Sequence, residues 1–233
     1  MLPIRDTVPS RHYPFITITL IGLNVAFWLG LLAFGETERR ALMMMLGVVP
    51  RRYTDSEWAT EAGLDPDNYL PFVTSMFLHG GWLHIILNMW ILWIFGDNVE
   101  DRMGWTRFIL FYLICGVVSA IAQVLAHPNA ALPMVGASGA IAGVMGAYLF
   151  LYPRAKVLTV IPVFFYPLFI EIPAVAFMLI WFIGQVVSGI MATVGDVQGG
   201  IAWWAHIGGF VAGALLHRLF LKHKAAPRDL WNP

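Results

Sequence analysis

The sequence predicts an all-α membrane protein, a bundle of six transmembrane helices with a short fourth helix and a large first loop. Of its 233 residues, 59% are hydrophobic and only 12% are charged, whereas soluble domains carry about 25% charged residues. So few charges cannot cover a water-exposed surface, so most of the surface must face lipid. The formal net charge of zero argues against nucleic-acid binding, and a single cysteine excludes a disulfide framework.

Six apolar segments are long enough, or nearly long enough, to cross a membrane as helices. A spanning helix needs about 20 mostly apolar residues. The fourth segment is shorter than the others because Pro153 cannot continue a helix. Predicted helices 1 to 6 cover residues 15–34, 72–95, 108–126, 137–152, 172–194 and 201–221.

Lysines and arginines near the helix ends predict that both termini lie on the cytoplasmic side. Basic residues precede helix 1, separate helix 2 from helix 3 and helix 4 from helix 5, and follow helix 6. The connections between helices 3 and 4 and between helices 5 and 6 have none. We therefore expect a cytoplasmic N-terminal segment (1–14), a membrane domain (15–221) and a cytoplasmic C-terminal tail (222–233).

The first connection, about residues 35–71, is the exception to this charge pattern. It contains four arginines, but also seven acidic residues. Leu42, Met45 and Trp58 are interspersed among them, as in an amphipathic segment at a membrane interface. We expect an extracytoplasmic subdomain that lies partly in the interface, with a plain polar loop as the alternative.

Two polar side chains lie within predicted helix 2. Polar and ionisable groups are costly in a bilayer, so their presence suggests a function. His84 and Asn88 are four residues apart, which places them on one face of a helix, and both can donate hydrogen bonds. The structural alternative is that each binds a neighbouring helix.

Predicted helix 4 opens with Gly136-Ala137-Ser138-Gly139. Flanking glycines permit a strained turn and the close approach of another backbone. The Ser138 hydroxyl would lie at a helix N-terminus, where free N–H groups can stabilise an oxyanion. A serine in this position is more commonly only a helix cap, so the motif gains meaning only from its partners.

Predicted helix 6 carries a histidine, His206, inside an apolar span. Gly209 and Gly213 form a G-x-x-x-G pattern, which lets two helices approach closely. Predicted helix 4 has a similar glycine face. We therefore predict that helices 4 and 6 pack together and bring Ser138 near His206. The glycines on the face of helix 4 are Gly139, Gly143 and Gly146.

These polar groups suggest one chemistry. At 1.5 Å per residue, Ser138, His206 and His84 lie roughly 24, 18 and 20 Å from the cytoplasmic ends of their helices. A serine becomes a nucleophile when a base, usually histidine, accepts its proton, and the resulting oxyanion needs hydrogen-bond donors. Helices 2 to 6 have no Asp or Glu at this depth. We therefore predict a Ser138–His206 dyad, with His84, Asn88 and the Ser138 backbone N–H as oxyanion donors.

Taken together, the motifs resemble the rhomboid family of intramembrane serine proteases. They occur in one order over about residues 10–222. The resemblance implies the Ser138–His206 dyad and a substrate class, transmembrane-anchored proteins cut in or near the lipid bilayer. It implies no metal or nucleotide, and a bacterial inner-membrane protein. The motifs are His79-x4-His84-x3-Asn88, Gly136-Ala137-Ser138-Gly139 and Ala205-His206-x2-Gly209.

The resemblance also implies supporting roles for His79, Gly136, Gly139 and Gly209. Many family members carry an aromatic residue four positions after the serine, where it supports the histidine ring. This chain has Ala142 there, so this position provides no aromatic ring to orient His206.

Two other functions are possible. A proteolytically inactive rhomboid-like protein that binds transmembrane clients would be expected to lack the serine or the histidine, and this chain has both. A small transporter could use His84 and His206 as a proton relay, but it would not need the glycine-framed Ser138.

Overall fold

Ten α-helices and three β-strands form the part of the chain that the computed structural model describes, residues 2–163, 166–195 and 200–222. Residues 223–233 of the predicted C-terminal tail lie outside the described residues. The helices are α1 (Phe15–Leu32), α2 (Glu36–Leu46), α3 (Pro50–Thr54), α4 (Ser56–Glu61), α5 (Pro71–Thr74), α6 (Trp82–Met103), α7 (Trp105–Ala126), α8 (Ser138–Leu151), α9 (Ala174–Val194) and α10 (Trp203–Phe220). The strands are β1 (Leu2–Asp6), β2 (Lys156–Val163) and β3 (Tyr166–Pro173).

Six helices, α1 and α6 to α10, are 14 to 22 residues long and correspond in order to predicted helices 1 to 6. By length and composition, α1, α7 and α9 can each cross a membrane, and α5 with α6 can form a fourth, bent span. Large apolar side chains such as Phe27, Ile183 and Leu215 are exposed on the outside of the bundle, as expected of a surface that faces lipid. The protein is an integral membrane protein, and the complete set of six crossings stays a prediction.

The prediction of one continuous helix over residues 72–95 is wrong. Helix α5 continues into a 3-10 helix that ends at Phe77, and α6 begins at Trp82. The axis of α6 is turned by 94° from that of the segment Pro71–Phe77. The break contains Gly80 and Gly81, and glycine loses more backbone entropy in a helix than any other residue. Predicted helix 2 is therefore a bent pair, and His84 lies in the first turn of its long member.

Helix α6 continues to Met103, beyond the predicted end at residue 95, and its last turns bind the start of α1. The buried Glu100 carboxylate accepts hydrogen bonds from the backbone N–H groups of Ile16 (2.9 Å) and Thr17 (2.8 Å). It also accepts one from the Thr17 hydroxyl (2.8 Å). A carboxylate from another helix thus caps α1, whose own Pro14 provides no side-chain cap.

The prediction of an all-α fold is also wrong, because β1, β2 and β3 form an antiparallel sheet in that order. Strands β2 and β3 pair along their length, from Lys156 opposite Pro173 to Val163 opposite Tyr166. Their sequence is rich in β-branched residues, which favour strands. Helix α9 therefore begins at Ala174, two residues after the predicted start, because the preceding residues belong to β3.

Helix α8 is the buried centre of the bundle, with ten of its 14 residues buried. Its glycine face packs directly against α10. A Cβ atom on Gly209 would lie 2.0 Å from the carbonyl oxygen of Gly139, and one on Gly146 would lie 2.1 Å from that of Phe210. The predicted packing of helices 4 and 6 is confirmed.

The large first connection, which contains α2, α3 and α4, packs on the segment that leads into α8. Val48 and Met134 exchange backbone hydrogen bonds of 3.0 and 2.7 Å. The Thr54 hydroxyl donates to the carbonyl of Pro128 (2.6 Å). The connection therefore helps to fix the start of α8, whereas its place in the membrane interface stays a prediction.

Candidate active site

Ser138 is the first residue of α8 and is half-buried. Gly136, two residues earlier, has a φ of 127°, in the region that favours glycine. Its backbone N–H donates to the Ser75 carbonyl (2.9 Å), which fixes the turn. The first N–H groups of a helix have no partner within the helix, so the Ser138 amide lies beside its own hydroxyl as a free donor.

His206 lies in the first turn of α10, and its Nε2 atom is 2.8 Å from Ser138 Oγ. This contact follows from the helix packing, because Gly209 lets the α10 backbone approach α8 at Gly139. Hydrogen-bond contact between a hydroxyl and an imidazole is the geometry of a nucleophile and its base.

The other ring nitrogen of His206 has a partner that the sequence analysis missed. Nδ1 lies 2.7 Å from Oε1 of Gln185, a buried residue of α9. The rings of Trp181 and Trp203 lie 5.9 and 6.4 Å from the imidazole, measured between centroids. Gln185 is not an acid, the usual orienting group of a catalytic histidine, but a glutamine inside an apolar span is itself a signal of function.

His84 and Asn88 gather beside the turn that precedes Ser138. A Cβ atom on Gly136 would lie 2.6 Å from His84 Nε2 and 3.6 Å from Asn88 Nδ2. The Gly80 N–H lies 3.4 Å from His84 Nδ1, so that nitrogen is the acceptor and Nε2 carries the proton. Asn88 Nδ2 is buried and has no hydrogen-bond partner in the part of the chain that the structure describes. Two donors therefore lie beside Gly136, two residues before Ser138.

The remaining predicted positions pack around this centre. His79 is fully buried, and its ring meets that of His84 at a centroid distance of 5.0 Å. Among the described residues, neither of its ring nitrogens has a hydrogen-bond partner. Gly139 packs against the Ser119 side chain, whose hydroxyl donates to the Gly116 carbonyl (3.0 Å).

Two acidic residues near the ends of the long helices bind structural partners away from His206. Glu100 caps α1, and Glu171 of β3 forms an exposed ion pair with Lys156 (3.0 Å). Asp196 lies outside the described residues. Within the described ranges, no group of three or more His, Cys, Asp or Glu side chains is placed to hold a metal ion.

The rhomboid domain family model matches residues 66–223, well over half of the chain. The chain belongs to the rhomboid family. The matched region runs from the end of the large first connection through α10, and so contains every candidate site residue. The rhomboid family includes serine proteases.

Curated rhomboid relatives occur in bacteria and in mitochondria. The putative rhomboid protease YdcA of Bacillus subtilis is 27% identical over 60% of this chain and 64% of its own length. The presenilin-associated rhomboid-like protein A, mitochondrial, of Danio rerio is 30% identical over 62% of this chain and 36% of its own length. Rhomboid protease GluP of Bacillus subtilis is 41% identical over 34% of this chain and 15% of its own length. The matches thus span between 15% and 64% of these relatives.

Proposed function

We propose that this rhomboid protein is an intramembrane serine endopeptidase, with Ser138 as nucleophile and His206 as general base. The observation that carries the proposal is the 2.8 Å contact between Ser138 Oγ and His206 Nε2 at the start of α8. The relatives named rhomboid proteases support the same activity.

In the first half of the reaction, Ser138 Oγ attacks the carbonyl carbon of the scissile peptide bond and His206 Nε2 takes the hydroxyl proton. The tetrahedral oxyanion accepts hydrogen bonds from the Ser138 backbone N–H, His84 Nε2–H and Asn88 Nδ2–H. When this intermediate collapses, His206 gives its proton to the leaving amine, and the remaining acyl group stays esterified to Ser138.

In the second half, a water molecule attacks the ester carbonyl while His206 accepts its proton. The second tetrahedral intermediate uses the same donors. Its collapse returns the proton to Ser138 Oγ and releases the carboxyl product. No cofactor is needed for either half.

The proposed substrates are transmembrane-anchored proteins, cut in or near the bilayer. The site lies in the bundle around the buried helix α8, beside an outer surface of exposed apolar side chains. In this proposal six spans place both termini in the cytoplasm, and the protein resides in a bacterial inner membrane. His79, Gly136, Gly139 and Gly209 support the site by packing. An inactive binder of transmembrane clients would have no use for the Ser138–His206 pair.

Active-site labelling tests the assignment of the two reacting residues. A fluorophosphonate should modify Ser138 in the purified wild-type protein, and mass spectrometry should place the adduct on that residue. His206→Ala should abolish labelling, whereas Ser119→Ala, at a serine that bonds its own helix, should not prevent it. Adduct formation on another serine, or undiminished labelling of His206→Ala, would contradict the proposal.

A further inference from the structure

Gln185 lies behind His206, on the side opposite Ser138. Its Oε1 atom is 2.7 Å from His206 Nδ1, and its side chain is 7% exposed. Resting on the proposed function, we infer that Gln185 is a positioning residue, which fixes the tautomer and ring orientation of the base by accepting a hydrogen bond from Nδ1–H.

The direction of this hydrogen bond follows from its neighbours. The amide nitrogen of Gln185, Nε2, lies 3.3 Å from the backbone carbonyl of Trp181, which can only accept. The amide oxygen must therefore face His206, and an amide oxygen also only accepts. His206 must then carry its proton on Nδ1, which leaves Nε2 free to accept the proton of Ser138. The chain of hydrogen bonds therefore runs from the Ser138 hydroxyl to His206 Nε2, from His206 Nδ1–H to Gln185 Oε1, and from the Gln185 amide to the Trp181 carbonyl.

The role matters because Gln185 is the only hydrogen-bond partner of His206 Nδ1 among the described residues. In serine hydrolases with a third catalytic residue, an acid holds the imidazole in this tautomer. Here the hydrogen-bond contacts of the His206 ring are Ser138 Oγ and Gln185 Oε1. The ring of Trp181, one turn before Gln185 on α9, covers the imidazole. Gln185 and Trp181 both lie on α9, whereas position 142 of α8 holds only an alanine.

Substitutions at Gln185 separate hydrogen bonding from packing. Gln185→Met keeps the side-chain length but removes the acceptor. Only a fraction of the His206 rings should then hold the tautomer and orientation that accept the Ser138 proton, so kcat should fall about 10- to 100-fold with little change in KM. Gln185→Glu retains an acceptor oxygen whether or not it is ionised, so its kcat should stay near the wild-type value. The control is Gly184→Ala, because a Cβ atom there would meet nothing within 4 Å.

The outcomes distinguish this inference from the proposed function. Wild-type turnover by Gln185→Met, or equal losses in Gln185→Met and Gln185→Glu, would overturn the positioning role. If the wild type itself shows no Ser138-dependent cleavage, the proposed function fails instead.

Nitrogen NMR tests the tautomer without any activity measurement. In protein labelled with ¹⁵N-histidine, the His206 resonances, assigned by their loss in His206→Ala, should report a neutral ring protonated at Nδ1. In Gln185→Met the preference for that tautomer should be lost. A wild-type ring protonated at Nε2 would overturn the inference even if every variant proved difficult to assay.

Discussion

Gly213 of α10 lies so close to Gly143 of α8 that a Cβ atom on Gly213 would be 1.9 Å from the Gly143 carbonyl oxygen. The clash would be with backbone, which cannot rotate away as a side chain can. The distance between Ser138 and His206 depends on this contact, since these two helices carry the two residues. A change in the spacing between α8 and α10 would therefore change the distance between Ser138 and His206.

We expect Gly213→Ala to separate α8 from α10, so that both thermal stability in detergent and cleavage fall sharply. Overpacking a well-packed site typically costs about 1–3 kcal/mol. Gly22→Ala in α1 is the matched control, because its Cβ would meet nothing within 4 Å, and it should unfold at the wild-type temperature. Equal behaviour of the two variants would contradict the proposed role of helix spacing.

The oxyanion donors give a second prediction. Asn88→Ala removes the buried, unpartnered Nδ2 donor, and kcat should fall about 10²- to 10³-fold, as for the loss of one oxyanion-hole donor. Asn24 of α1 is the control, because its amide donates to the carbonyl of Leu20 in its own helix (2.8 Å). Steady-state kinetics with a single-span substrate measures both. A drop in kcat for Asn24→Ala as large as for Asn88→Ala would argue against a specific role for Asn88.

The cap that α6 provides for α1 predicts a stability effect. Glu100→Ala leaves two backbone N–H groups and the Thr17 hydroxyl without their acceptor. The free energy of unfolding should fall by at least about 4 kcal/mol, because the three lost hydrogen bonds to a carboxylate contribute roughly 1.5–3 kcal/mol each. Denaturant unfolding in micelles measures the change, with the exposed Glu61→Ala as control. A Glu100→Ala protein as stable as that control would contradict the cap.

Asp6 of β1 predicts a pH dependence of stability. Its carboxylate accepts hydrogen bonds from the Tyr148 hydroxyl and from Asn98 Nδ2 (2.9 Å), and burial raises its pKa to about 6 from the ordinary 3.8. The folded protein thus holds this proton more tightly than the unfolded chain, so the stabilisation is complete below about pH 3.8 and is lost as pH rises through about 6.

We expect Asp6→Asn to lose this dependence, because an amide does not ionise. Thermal unfolding of the two proteins from pH 4 to pH 8 should show the wild type declining relative to the variant as pH increases. Titrating groups that do not interact with Asp6 are common to both proteins and cancel in the comparison, whereas the neighbouring Asp97 loses the repulsion of the Asp6 carboxylate in the variant. Parallel stability profiles would show that Asp6 does not titrate in this range.

Much of the helical architecture could be predicted because apolar length and glycine spacing act within one segment of sequence. Apolar length predicts the order of the long helices, and glycine spacing predicts the close packing of α8 on α10. The strands within residues 156–173 are not predicted, because hydropathy alone does not distinguish a short apolar strand from part of an apolar helix. The break in predicted helix 2 was missed for a related reason, since hydropathy does not respond to the glycine pair that interrupts it.

The candidate site was predictable to the extent that its members interrupt apolar spans. Ser138, His206, His84 and Asn88 were selected on that ground, and the structure brings them into one region. Gln185 has no fixed spacing from His206 in the sequence, and their contact depends on how α9 is rotated against α10. The polar Gln185 inside an apolar span marks a functional position in the sequence, but its pairing with His206 follows only from the tertiary packing.

The most direct test of the central claim is cleavage of a single-span substrate by purified protein in liposomes. The wild type should release two products, and Ser138→Ala, which lacks only the nucleophilic oxygen, should release none while unfolding at the wild-type temperature. Cleavage by Ser138→Ala at the wild-type rate would contradict the assignment of Ser138 as the nucleophile.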